Sequence, residues 1–125
     1  PAMLAGVATL NLLNQPGFYK ALEEKSRMVA DGIAKAARDA GYPFYSTRVG
    51  SMFCSFFSKG DVYDWPTASK CDTNSFAKYF LAMLDEGVYL APSQFETAFV
   101  SAAHTEADIE KTIAAAAKSF KLIAG

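Results

Sequence analysis

Between Ser51 and Ser58 the chain reads SMFCSFFS, and Met52, Phe53, Cys54, Phe56 and Phe57 leave no alternation of polar with apolar residues. Successive side chains of a strand point to opposite faces, so a strand of this composition is apolar on both. Helices or another domain must then cover it on both sides, which excludes a sheet with one face in water. Residues 2 to 13 impose a similar demand. Met3, Leu4, Val7, Leu10, Leu12 and Leu13 make this segment apolar on nearly every side, as in a helix buried between domains or subunits.

The remaining punctuation divides the chain clearly. Gln15-Pro16-Gly17 ends the first helix, and a second is expected from Phe18 to Ala40, with Phe18, Leu22, Val29, Ile33 and Ala37 on one face. Gly41 is its expected C-cap, and Pro43 blocks continuation. Two strands are expected over 44–49 and 51–58, hinged at Gly50. Lys59 to Ser69 reads as a loop, although Val62, Tyr63 and Trp65 imply that it is pinned onto something. Thr73 to Glu86 is helical, with Phe76, Phe80, Met83 and Leu84 inward and Gly87 closing it. Short strands are expected at Val88–Ala91 and Ala98–Ala102. Thr105, with Asp108 three residues on, caps a last helix whose inner face is Ile109, Ile113, Ala117 and Phe120. The order predicts an α+β fold, a small antiparallel-type sheet covered by helices.

At 125 residues the chain is one domain's worth, and 12 basic residues against 13 acidic ones, interleaved, leave no basic stripe for nucleic acid. No apolar run approaches the roughly 20 residues of a membrane span. Cys54 and Cys71 are seventeen positions apart, and with His104 they do not make a structural zinc pattern; both are expected to be ordinary reduced thiols. The start at Pro1, running straight into apolar sequence, and the 51% hydrophobic content predict a single domain, residues 1–125, cut from a longer polypeptide. Apolar side chains facing a missing domain predict dimerisation or aggregation of the isolated chain.

Few residues carry chemistry. There is no Gly-rich phosphate loop and no Ser-His-Asp candidate. His104, directly before a helix cap, reads as a surface or capping imidazole. The tyrosines read as packing residues, with Tyr89 the one flagged for its place in a short strand beside a turn. Asp85 and Glu86 end a helix where the dipole disfavours acids, which suggests pairing with lysines elsewhere. Glu96 stands apart in VYLAPSQFETAFVSAAHT (88–105), between Phe95 and small apolar residues, with no Lys or Arg nearby. It is either a solvated turn carboxylate or one wall of a pocket, where burial would favour its neutral form and a cation its ionised form.

Those eighteen residues resemble a segment of glutamate-1-semialdehyde 2,1-aminomutase, a pyridoxal phosphate (PLP) enzyme of class III within the fold-type I aminotransferases. PAMLAGVATLNLLNQPGFY resembles that family's helix after a Ser-Gly-Asn-Pro turn, VGSMFCSFF its Gly-Ser-Met-Phe strand, and DTNSFAKYFLAMLDEGVYLAPSQFE its last helix-strand-turn. The resemblance runs the length of the chain in order. It departs at Glu96-Thr97-Ala98, where many members have Glu-Ala-Gly, and at Ala103, where leucine is usual.

The resemblance implies the family's C-terminal small domain, which closes over a cofactor held by an upstream large domain in a homodimer. It implies conversion of glutamate-1-semialdehyde to 5-aminolevulinate, for tetrapyrrole synthesis, in a bacterial cytoplasm or plastid stroma. In members of the family the glutamate of the Ser-x-Phe-Glu motif reaches the active site, and the resemblance implies that role for Glu96. Gly50, Ser51 and Met52 match a strand turn near the site and are expected to shape the substrate pocket. A class III aminotransferase with an external donor commonly places an arginine in this region, and 88–105 has none. A stand-alone α+β binding or regulatory module is the reading from another class. The family's Schiff-base lysine belongs to the upstream domain, and no lysine here lies in the matching motif. The chain alone is therefore expected to bind no PLP: borohydride reduction after mixing should yield no stoichiometric adduct at one lysine, and such an adduct would refute the assignment.

Overall fold

The computed structural model describes residues 1–125. Five helices and three strands follow in the order α1 (Ala2–Leu13), α2 (Phe18–Asp39), β1 (Tyr45–Val49), β2 (Met52–Phe56), α3 (Trp65–Ala68), α4 (Thr73–Asp85), β3 (Ala98–Phe99) and α5 (Glu106–Ala124). The sheet is antiparallel in the order β1-β2-β3, with Val49 opposite Met52 and Phe53 opposite Ala98. The α+β architecture with a helix-covered antiparallel sheet is thus as the sequence predicts. No helix is long and apolar enough to cross a membrane.

Both expected glycine caps form. Gly41 has φ +76, its N–H donates to Arg38 O, and the Tyr42 N–H donates to Ala37 O at 2.9 Å. Gly87, at φ +81, does the same through Leu84 O, while the Val88 N–H reaches Met83 O. These are paired 5→2 and 6→1 closures that leave few carbonyls of the last turn unsatisfied. At the opposite ends, the Asp72 carboxylate accepts the Asn74 and Ser75 N–H groups, and Thr105 and Asp108 form a reciprocal capping box.

Three local expectations need correction. Residues 88–91 are extended but form no strand: the Val88 N–H is already spent on closing α4. The strand expected over 98–102 stops at Phe99 because the groups beyond it go elsewhere. The Val100 N–H donates to Ser51 O, the Ser101 N–H to His104 Nδ1, and the Ala102 and His104 carbonyls accept from Lys25 Nζ at 3.0 and 2.7 Å. Finally, the 59–69 loop contains α3, started by a capping box between Asp64 and Thr67. Val62 is pinned as expected, but Tyr63 and Trp65 are exposed.

Strand β2 is covered on both faces. Phe53 enters the main core with Val29, Ile33, Ile109 and Phe120, while Phe56, three residues on and so on the other face, packs with Val62, Ala68 and Cys71. The helix faces are rotated slightly from those read in the sequence. In α4, Tyr79 and Ala82 are buried with Phe76 and Met83, whereas Phe80 is half-buried and Leu84 exposed. In α5, Ala115, Ala116 and Ser119 join Ile109 and Phe120, leaving Ile113 and Ala117 half-buried. Helix α1 buries nothing within this chain, so its apolar girth remains exposed, and its contact with α2 is slight. Glu86 pairs with Lys118 at 2.9 Å, the lysine partner expected for that helix end.

Helices α2 and α5 make the most extensive contact in the molecule. Gly32 permits it: a Cβ at that position would lie 2.5 Å from Ile113 Cδ1 and 2.6 Å from its Cγ1. Alanine would gain helix propensity, about 1 kcal/mol, but would overpack the crossing by about 1–3 kcal/mol. Gly32→Ala should therefore lower the unfolding midpoint, and adding Ile113→Ala should recover stability relative to that single variant; chemical denaturation of both checks this.

The capping aspartates set the acid limit. Hydrogen bonds from the Ser75 amide and hydroxyl hold Asp72 below the usual carboxylate range, and those from the Thr105 amide and hydroxyl do so for Asp108. A depressed folded value means stability that is present above the unfolded value near 3.9 and lost as pH falls through the folded one. Melting temperature should thus fall below about pH 4, and Asp72→Asn, which still caps, should flatten that fall.

Candidate functional site

The segment from Leu90 to Ala98 turns sharply at Pro92-Ser93-Gln94-Phe95. Ser93 organises the turn, its hydroxyl accepting the Phe95 N–H and its carbonyl the Glu96 N–H, both at 3.2 Å. The turn sends consecutive side chains in different directions. Gln94 goes inward and is 3% exposed, Phe95 lies at the surface, and the Glu96 carboxylate is exposed. Of the two readings of Glu96 left open by its neighbours, the structure of this chain gives a solvated turn carboxylate at the edge of a small cavity.

That cavity, about 40 Å³, lies under the turn between β2, α4 and residues 90–98, and Tyr79, Ser93, Gln94 and Glu96 contribute its polar groups with Ser55. A larger cavity of about 290 Å³ lies on the other side of the 88–91 segment, lined by Val29, Tyr89, Phe99 and Val100 and closed at one end by His104 and Asp108. Phe53, Leu90, Ala91 and Ala98 are shared by the two. Within this segment Leu90 and Ala91 therefore stand between the two cavities, while Val88 and Tyr89 line the larger one alone.

Gln94 is the functional candidate that the sequence reading missed. Its Oε1 accepts the Phe57 N–H at 3.2 Å, which ties the turn to the end of β2, and its buried Nε2 finds no partner within the protein. The available signal was a polar residue between Ser93 and Phe95, in a turn that reverses the facing of its neighbours. Trp65 and Phe95, both exposed, meet edge to face at 5.4 Å, Phe95 being the residue before Glu96. Thr97 meets Cys54 across the sheet, Oγ1 to Sγ, at 3.3 Å.

The other candidates sit apart from Glu96. Gly50, at φ +58, takes the first place of the two-residue β1–β2 turn, where a hairpin of this length needs positive φ. Ser51 and Met52 follow it and meet Val100 and Phe99, at the far end of the sheet from the Glu96 turn. Tyr89 is exposed against Phe80. His104 is exposed, and its Nδ1 accepts the Ser101 N–H at 3.0 Å, which makes Nε2 the protonated nitrogen of the neutral ring. Cys54 and Cys71 are unpaired, burial raising the Cys71 thiol, and no group of three His, Cys, Asp or Glu side chains converges.

PLP chemistry requires a lysine amine facing an enclosed site, and neither cavity flanking residues 88–91 contains one. Lys25 is held by two carbonyls, Lys35 by Asp39 and Lys118 by Glu86. Lys59 and Lys70 line a separate cavity of about 400 Å³ with Tyr42, Ser58 and Asp72, and Glu96 is not part of its lining.

No protein-family model matches the chain. Its sequence is 70% identical over 122 residues to glutamate-1-semialdehyde 2,1-aminomutase of Citrifermentans bemidjiense and 66% identical to that of Geotalea daltonii. Each match covers 98% of this chain and 29% of the relative, so the chain spans less than a third of the curated proteins it matches. Among solved structures, the FumI protein of Sphingopyxis sp. MTA144, in its PLP internal aldimine form, superposes with TM-score 0.76 at 23% identity. That match covers 97% of this chain and 26% of FumI. An omega-transaminase of Sphaerobacter thermophilus gives TM-score 0.71 at 18% identity, over 89% of this chain and 25% of that one. At those identities the structures speak for the fold, and the fold is that of a part of transaminases. Over nearly its whole length the chain matches the C-terminal part of glutamate-1-semialdehyde 2,1-aminomutases.

Proposed function

We propose that this chain is the C-terminal small domain of a PLP-dependent aminomutase that converts glutamate-1-semialdehyde to 5-aminolevulinate, the precursor stage of tetrapyrrole synthesis. The observation that carries this reading is identity of 70% along nearly the whole chain with a protein of that name. In this reading an upstream large domain holds the cofactor and supplies the reactive lysine. The working unit is a homodimer, in a bacterial cytoplasm or plastid stroma.

Glu96 is the residue this chain presents to the substrate. Its carboxylate is exposed on a turn fixed by Ser93 and Gln94, and residues 88–105 contain no lysine or arginine to neutralise it. A carboxylate so placed accepts charge-assisted hydrogen bonds from ammonium groups, stronger than those between neutral partners. It can hold the substrate's amine at successive stages of the transfer. It also repels a second substrate carboxylate, which disfavours dicarboxylic amino donors. Gly50, Ser51 and Met52 act, in this proposal, through the hairpin tip that sets the sheet's position and not through contact with Glu96.

Glu96→Gln in the full-length protein keeps the side chain's size and removes its charge. Turnover of glutamate-1-semialdehyde should fall by roughly tenfold or more, as expected when one charge-assisted contact of about 1.5–3 kcal/mol is weakened. Acceptance of dicarboxylic donors should rise. Unchanged turnover and unchanged donor preference would remove Glu96 from the site.

A further inference from the structure

We propose that Gln94 is the positioning residue for Glu96, locking the turn to the end of β2 through the Phe57 amide and, together with Tyr79, through one bound water in the cavity beneath the turn. The inference rests on the reading of Glu96 as the carboxylate presented to substrate.

The geometry supplies three independent parts. First, Gln94 is buried and spends its amide oxygen on a backbone N–H thirty-seven residues away, a non-local bond that fixes where the turn sits. Second, two buried polar atoms, Gln94 Nε2 and the Tyr79 hydroxyl, lack partners within the protein, and both residues line the same cavity. A buried donor without a partner costs about 1–3 kcal/mol, so two such groups on residues that line one small space favour a water that both reach after a slight local adjustment. Third, the cavity's volume of about 40 Å³ exceeds the ~10–15 Å³ needed for a water. Ser55 and Ser93 add polar walls. A water there accepts from Nε2 and joins the phenol, whose proton burial retains.

The consequence for Glu96 is mechanical. Glu96 is two residues beyond Gln94 with only the turn between them, and its own side chain makes no hydrogen bond or ion pair that would hold it. Its aim therefore follows the backbone of the turn, whose shape Ser93 sets and whose place against β2 Gln94 sets. A displacement of about 1 Å at a reacting group can cost on the order of a hundredfold in rate, so loss of the clip should be visible in turnover.

The test uses the full-length protein with four variants. Gln94→Met, similar in size but unable to accept or donate these bonds, should lower kcat by roughly tenfold with KM changed much less, because the ground-state contacts remain. Gln94→Glu keeps an oxygen for the Phe57 amide and should recover part of that loss. Tyr79→Phe removes only the hydroxyl: with a water bound, the melting temperature falls, whereas a dry cavity would make the variant more stable. Glu96→Gln serves as the reference. If Glu96→Gln lowers turnover and Gln94→Met does not, the positioning role is overturned and the reading of Glu96 stands. If Glu96→Gln has no effect, that reading fails and the positioning role fails with it. A rise in melting temperature for Tyr79→Phe overturns the bound water alone.

Discussion

The stack of Tyr79 on Phe120 is the contact on which the rest of the structure hangs. Their rings lie 4.5 Å apart and 23° from parallel, both effectively sealed from solvent, and they join α4 to α5. Phe57 meets both, at 5.7 and 5.8 Å, and Phe44 and Tyr42 close the cluster from the chain leading into β1. Loss of a buried phenylalanine typically costs about 3–5 kcal/mol, a large part of the stability of a single domain. No hydrogen bond or ion pair elsewhere in the chain is of that order. The surface pairs Arg27–Glu24 and Arg27–Asp31, both exposed, stay within the small range usual for solvent-screened pairs.

The same cluster explains why the candidate site is where it is. Phe57 is the residue whose ring enters the core and whose N–H donates to Gln94 Oε1. Tyr79 belongs at once to the stack and to the wall of the cavity under the turn. The turn carrying Glu96 is thus attached directly to the aromatic core. The hairpin tip at Gly50 is attached differently, through Val100 and then through Lys25 of α2 to the 101–104 carbonyls. The two ends of the sheet are held by separate devices, one from the core and one from a helix surface.

Much of this was legible in the residues, for reasons that can be named. Gly41 and Gly87 closed their helices because positive φ is needed where a Schellman closure forms, and glycine adopts it without penalty. Phe53 and Phe56 had to lie on opposite faces, so an all-apolar β2 needed two cores and has them. The strand readings failed where backbone groups found other partners: the Val88 N–H closed α4, and the side chains of Lys25 and His104 took groups beyond Phe99. Gly32 was not legible as a close approach because its neighbour Ile113 lies eighty-one positions on in the chain. Gln94 was hidden for a similar reason: its importance comes from Phe57, not from the motif around it. Glu96, by contrast, was conspicuous in the sequence through its family motif, while its exposure depended on a turn whose orientation only the fold decides.

The chain's single tryptophan does not report on its core. Trp65 is 66% exposed at the start of α3, and its only close aromatic neighbour is Phe95, one residue before Glu96. Its emission is therefore a local optical gauge of the turn, coupled to the aromatic stack only through the backbone between them. A shift in emission at low denaturant, ahead of the loss of helical dichroism, would mark the turn as a separate cooperative unit. An apparent two-state curve read from fluorescence alone would describe the stability of the turn and not of the domain.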